Sequence, residues 1–61
     1  MIKILELQFY DGSREKYYGI YYVQNDAVGI SFTDEDEIQY FYPAGSFKRV
    51  RIWNEGRPNE V

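Results

Sequence analysis

The chain has no cysteine and no histidine, and only one methionine, one tryptophan and two prolines in 61 residues. Without cysteine there is no disulfide framework, and nothing in the chain calls for an oxidising compartment. Zinc sites built from Cys or His are excluded, as are nucleophiles of the Cys–His or Ser–His kind. No apolar run approaches the ~20 residues of a membrane-spanning helix. Basic residues are in the minority: Lys+Arg is 7 against Asp+Glu 10, a net charge of −3 with a pI near 4.7. A protein that binds nucleic acid over its whole surface usually carries a basic excess, because phosphate contacts dominate affinity. The opening Met1-Ile2-Lys3-Ile4-Leu5-Glu6 has one basic residue and an interrupted apolar run, which does not fit a targeting segment. The expectation is a soluble, cytoplasmic protein.

Aromatic residues are what the chain has in excess: seven Tyr, four Phe and one Trp, 20% of the residues. Each buries about 150–250 Å², which is how a chain near the lower size limit of a domain reaches stability without disulfide or metal. Oligomerisation is the remaining reinforcement. The organisation expected is one small domain over residues 1–53 and a polar, flexible tail over 54–61.

Turn signals divide the chain into five segments. Asp11-Gly12-Ser13 has the chemistry of a type I′ hairpin turn. Gln24-Asn25-Asp26, the acidic Asp34-Glu35-Asp36-Glu37 and Pro43-Ala44-Gly45-Ser46 supply the others. Between them, residues near 2–10, 14–23, 27–33, 37–42 and 47–53 are rich in Ile, Val, Tyr, Phe and Trp, the composition of strands. No window repeats apolar residues at helical spacing. Alternation puts Leu5, Leu7 and Phe9 on one face, with Ile4, Glu6, Gln8 and Tyr10 on the other. In the last segment Val50 and Ile52 share a face, and Arg49, Arg51 and Trp53 share the opposite one. The second segment is apolar on both faces (Tyr18, Ile20, Tyr22 against Tyr17, Tyr21, Val23), which asks for a bend or a cover. Gly19 and Gly29 inside strands mark a bulge or corner.

Five short hairpin-linked strands, with Pro43-Ala44-Gly45-Ser46-Phe47 before the last, resemble the SH3-like and Sm-like small barrels. The resemblance covers residues 2–53 at the level of the superfold. It implies an all-β, small five-stranded antiparallel SH3-like barrel with a one-turn 3-10 connector before the last strand, closed so that no edge is exposed. An open five-strand meander is the alternative. Leu7, Phe9, Asp11 and Gly12, followed by Gly19 and Asp26, echo the first motif of Sm-like proteins. Pro43 followed by Phe47, near an acidic loop and tyrosines, echoes the peptide groove of SH3 domains. A superfold carries little about function.

Three groups of residues have chemistry to offer. The run Asp34, Glu35, Asp36, Glu37 is the one carboxylate cluster: a solvated turn that guards its neighbouring strands against aggregation, or charge presented to a basic partner. No metal site is expected there, since four consecutive residues point in different directions and the EF-hand pattern is missing. The second group is Lys48, Arg49, Arg51 and Trp53: basic residues interleaved with an aromatic suit phosphate contact and base stacking, or cross-strand pairing with Glu6. The third is the tyrosines, too many to bury all their hydroxyls in a small core. Tyr17, Tyr21, Tyr40 and Tyr42 are the candidates for a partner-facing patch, because Tyr and Arg dominate binding hot spots.

Catalysis has nothing to stand on, and the chain reads as a non-enzyme with no cofactor. The leading expectation is a protein–protein interaction module acting through an acidic, Tyr-rich surface. Size, charge and missing chemistry resemble the small accessory proteins of phages and mobile elements, many of which inhibit a host nucleic-acid-handling protein by occupying its basic site. The alternatives are a nucleic-acid-binding small barrel using Lys48, Arg49, Arg51 and Trp53, and a subunit of a homo-oligomeric structural assembly. No membrane partner is expected.

Overall fold

A computed structural model describes residues 2–56 as an all-β chain of six strands: β1 Ile2–Gln8, β2 Arg14–Tyr18, β3 Tyr21–Asn25, β4 Gly29–Thr33, β5 Gln39–Pro43 and β6 Arg49–Glu55. They form two three-stranded antiparallel sheets, ordered β2-β1-β6 and β3-β4-β5. No helix occurs among the described residues.

The closed five-stranded barrel expected from the sequence is not what forms. Among the described residues no strand ladder joins the two sheets, and the segment expected as one strand over 14–23 is two strands in different sheets. The chain leaves the first sheet at Gly19, where φ is 66°. The Ile20 N–H then donates to the Lys3 carbonyl at 3.1 Å, and β3 begins the second sheet. Bending at this point resolves the two-sided apolar pattern. Tyr17 and Ile20 both reach the interior, and Tyr18 is left outside.

Leu5 and Leu7 from β1, Ile20 from the corner and Ile30 and Phe32 from β4 form the core between the sheets. Phe9, Tyr17, Val23, Tyr40, Tyr42, Phe47 and Val50 pack against it. Alternation along β1 sends Leu5 and Leu7 inward as the sequence requires. Ile4 points the other way and is still only 1% exposed, because β2 and β6 flank it with Tyr18 and Trp53.

The turns depart from expectation for local reasons. Around Asp11-Gly12 the Gly12 N–H donates to the Phe9 carbonyl at 3.0 Å and the Phe9 N–H to the Ser13 carbonyl at 2.9 Å. Only Gly12, at φ 92°, has a positive φ. This is a three-residue loop with glycine in the left-handed bulge position, not the type I′ turn, which needs positive φ at both central residues. The β4–β5 connection repeats the pattern: Glu37 N–H to Asp34 carbonyl at 3.0 Å, Asp34 N–H to Ile38 carbonyl at 3.1 Å. There the left-handed position holds Glu37, at φ 66°.

Before the last strand the Ser46 N–H closes a turn onto the Pro43 carbonyl at 3.0 Å. A single turn replaces the 3-10 connector. The Lys48 N–H then bonds the Gln8 carbonyl at 2.7 Å and leads into β6. Asn54 and Glu55, expected in the tail, pair with Lys3 and Ile2 as the end of β6. Gly56 follows β6 outside the strand, and the rest of the expected tail, residues 57–61, lies outside the described residues.

Candidate functional site

The register of the first sheet assembles one outward face. Antiparallel pairing sets Arg14, Gln8 and Arg49 on one rung, Lys16, Glu6 and Arg51 on the next, and Tyr18, Ile4 and Trp53 on the third. Ile2 and Glu55 form a fourth rung on the same side. Residues directly opposite one another in a sheet share a face, so this face carries four cations, two aromatics and two carboxylates. Its formal charge is four minus two, or +2, on a chain of net −3. The remaining residues therefore carry −5.

The rungs are laced together. Arg51 Nη1 lies 3.4 Å from Glu6 Oε1, with the Arg51 side chain 63% exposed and that of Glu6 12% exposed. Such a partly exposed pair contributes at most ~1 kcal/mol; its larger effect is to orient the guanidinium. The Arg51 guanidinium is 5.2 Å from the Trp53 ring centroid and Lys16 Nζ is 5.7 Å from it, both within reach of the indole quadrupole. Arg14 and Arg49 are exposed and enter no ion pair among the described residues.

Of the residues the sequence nominated for this surface, Arg49, Arg51 and Trp53 share the face. Lys48 precedes β6 and stands outside the paired rungs. Arg14, Lys16 and Tyr18 were missed. Their strand, β2, reads as alternately charged and aromatic. Only the hairpin register with β1 reveals that its even-numbered residues join those of β1 and the odd-numbered ones of β6.

The tyrosine set is placed differently from the patch expected. Tyr17, Tyr40 and Tyr42 come together, half-buried against the core. Tyr17 packs on Phe32 at 5.0 Å and Tyr40 at 4.7 Å, and Phe32 stacks on Tyr40 at 5.0 Å with 18° between planes. The Tyr17 and Tyr42 hydroxyls hydrogen-bond each other, and burial, followed by that bond, pushes the Tyr17 phenol well above its ordinary range. The Tyr40 hydroxyl donates to Asp34 Oδ2 at 2.9 Å, which raises the Tyr40 pKa. Tyr21 alone of the four stands apart from this cluster, edge-on to Tyr22 at 4.8 Å. Its pKa is raised by burial and then by the charge of Glu37.

The acidic run also divides. Asp34 Oδ1 accepts the N–H groups of Asp36 at 2.9 Å and Ile38 at 3.0 Å, and its other oxygen holds Tyr40. The Ile38 N–H contributes most to holding its carboxyl below the usual range. Asp34 is therefore spent on the turn. Glu35, Asp36 and Glu37 are exposed, and among the described residues no three acidic side chains gather into a group that could hold a metal ion.

Two further aromatics, unmarked by the sequence, stand on the outer face of the second sheet: Tyr22, 81% exposed, and Phe41, 55% exposed. A groove of about 440 Å³ opens between them. Among the described residues no helix is long and apolar enough to cross a membrane. No family model, curated protein or solved structure matches the chain.

Proposed function

We propose that the protein is a non-catalytic binding module that takes single-stranded nucleic acid on the outer face of the β2-β1-β6 sheet. The observation that carries this reading is the placement of Arg14, Lys16, Arg49 and Arg51 on two strands that flank the same three rungs as Trp53 and Tyr18. Cations track phosphates and aromatic rings accept bases of any sequence, the combination used on single strands. A duplex hides its base faces and gains only the charge term.

The acidic character of the whole chain does not oppose this. Of the turn's exposed carboxylates, Glu35 packs over Gly19, next to Tyr18, while Asp36 and Glu37 belong to the other sheet, and stacked sheets stand about 10 Å apart. At physiological salt the screening length is about 8 Å, so a strand bound over Arg14, Lys16, Arg49 and Arg51 feels mainly the +2 face. In the free protein Lys16 and Arg51 rest over the indole. On binding they turn to phosphates and the ring takes a base.

The test is a titration of the full chain with oligo-dT and oligo-rU of about ten nucleotides at low salt, following Trp53 emission. The chain has one tryptophan, so emission reports on this face alone. Saturable quenching, stronger for single strands than for duplex, is the expected result. Unchanged emission and unchanged oligonucleotide anisotropy up to about 100 μM, the weak end of non-specific binding, would remove the proposal.

A further inference from the structure

The opposite side of the molecule is chemically the reverse of the first. From Tyr17 to Phe47 the chain has no Lys or Arg and five carboxylates, Asp26, Asp34, Glu35, Asp36 and Glu37. All three strands of the second sheet lie in that stretch. On its outer face the register sets Tyr21, Thr33 and Gln39 on one rung and Gln24, Ser31 and Phe41 on the next. Between these rungs β3 has one residue more than β4, a bulge at Tyr22. Tyr22 takes φ 55°, a left-handed conformation that costs a non-glycine residue on the order of 1 kcal/mol. The ring stands 81% exposed, and with Phe41, whose ring tip lies by Gly29, it lines the groove over Ser31 and Thr33.

Ser31 and Thr33 give the floor hydroxyls, and Thr33 is only 8% exposed. One end of the groove is Thr33 and Gln39, the residues that bracket the acidic turn. Asp36 and Glu37 follow in the turn beyond that end, while Glu35 packs over Gly19; none of the three has a cationic partner among the described residues. Aromatic walls leading to unneutralised carboxylates form a receptor for a cation on an apolar stem. The ring faces attract the charge and cover the methylenes, and the carboxylates meet the head group.

From this geometry we infer that the groove binds an extended basic peptide segment of a partner protein, with a lysine or arginine stem held between Tyr22 and Phe41 and its head directed to Asp36 and Glu37 of the turn. The site is separate from the nucleic-acid face and stands or falls without it. An acidic peptide is repelled, and an uncharged one of equal shape loses the turn.

The full chain, labelled with ¹⁵N, is titrated with the peptide acetyl-Thr-Val-Lys-Val-Thr-amide, then with versions carrying Glu or norleucine in place of Lys. The Lys peptide is expected to shift the amides of Tyr22, Ser31, Thr33, Gln39 and Phe41, with the Glu peptide silent and norleucine at least about tenfold weaker, the effect of one lost charged contact. Phe41→Thr keeps strand propensity and removes a wall; Gln39→Lys, at an exposed position, puts a cation in the groove. Each is expected to abolish the shifts in a protein whose spectrum stays dispersed. Tyr22→Asn, which tolerates the left-handed φ, does the same from the other wall. No shifts at millimolar Lys peptide, shifts confined to other surfaces, equal binding of the Glu peptide, or full binding by folded Phe41→Thr and Gln39→Lys proteins would each overturn the inference.

Discussion

The Arg51 guanidinium lies 5.2 Å from the centroid of the Trp53 indole, two residues along the same strand and on the same face. Lys16 approaches that ring from β2, the far strand of the sheet, at 5.7 Å. Two strands with 30 residues of chain between them, Gly19 to Lys48, thus place their charges on one aromatic group. This cationic face exists only because β1 lies between them.

Cations from β2 are expected to count as much as those from β6. An Arg14→Gln, Lys16→Gln protein and an Arg49→Gln, Arg51→Gln protein should both bind oligo-dT more weakly, while Lys48→Gln should bind as the parent does. Anisotropy titrations compare the three. Loss only in the β6 variant would confine the site to one strand.

Stacking is a separable contribution. Trp53→Leu retains apolar cover for Ile4 but has no aromatic face, and base stacking on such a residue is worth about 1–3 kcal/mol. Affinity should fall at least about fivefold, with the salt dependence unchanged, because no phosphate contact is removed. A changed salt slope would mean that Trp53 acts by positioning Arg51 and Lys16 instead.

The two three-residue loops differ in one position. Gly12 fills the left-handed site of the first and Glu37 that of the second. Glu37→Gly relieves a backbone penalty of about 1–2 kcal/mol and adds the entropic cost of glycine, about 0.5–1 kcal/mol. The net expectation is a stabilisation of a few tenths to about 1 kcal/mol, read as a higher urea midpoint at unchanged m-value. By contrast, a Cβ at Gly29 would run into the Tyr42 carbonyl and Pro43 Cα. Gly29→Ala should cost about 1–3 kcal/mol, as overpacking against an unyielding neighbour does.

Asp34 and Tyr40 each make a pH-dependent contribution to the fold. The folded-state pKa of Asp34 is lowered, so its contribution is complete above the ordinary carboxylate value, about 3.9, and is lost as pH falls through the folded value. The Tyr40 pKa is raised, so its contribution is complete below about 10 and is lost as pH rises through its folded value. Asn keeps the Oδ1 acceptor without the charge. The stability difference between the parent and Asp34→Asn should therefore be constant near neutral pH and shrink toward pH 2. Thermal melts across pH check this; a difference that persists to pH 2 would contradict it.

Much of the fold was legible in the residues. Alternation grouped Leu5 with Leu7 in the first strand, and Val50 with Ile52 against Arg49, Arg51 and Trp53 in the last; the register then sets Leu5 opposite Ile52 and Leu7 opposite Val50. The sheet division was not legible. Gly19 signals a corner, but a corner inside one bent strand and a change of sheet look alike in sequence. Tyrosine exposure was misjudged for a related reason: Tyr17, Tyr40 and Tyr42 satisfy their hydroxyls with one another and with Asp34, so a small core took three phenols. Tyr22 reached the surface through a bulge at a non-glycine residue, which no local pattern marks.

The most direct test of the cationic face is the salt dependence of oligo-dT binding by the parent and the Arg14→Gln, Lys16→Gln protein. Each phosphate contact on a single strand adds about 0.7 to the slope of log K against log salt. The parent should show a slope of about −2 to −3 for four cations, and the double variant a slope shallower by about 1.4. A parent that binds with no salt dependence, or a variant with the parent's slope, would contradict the account.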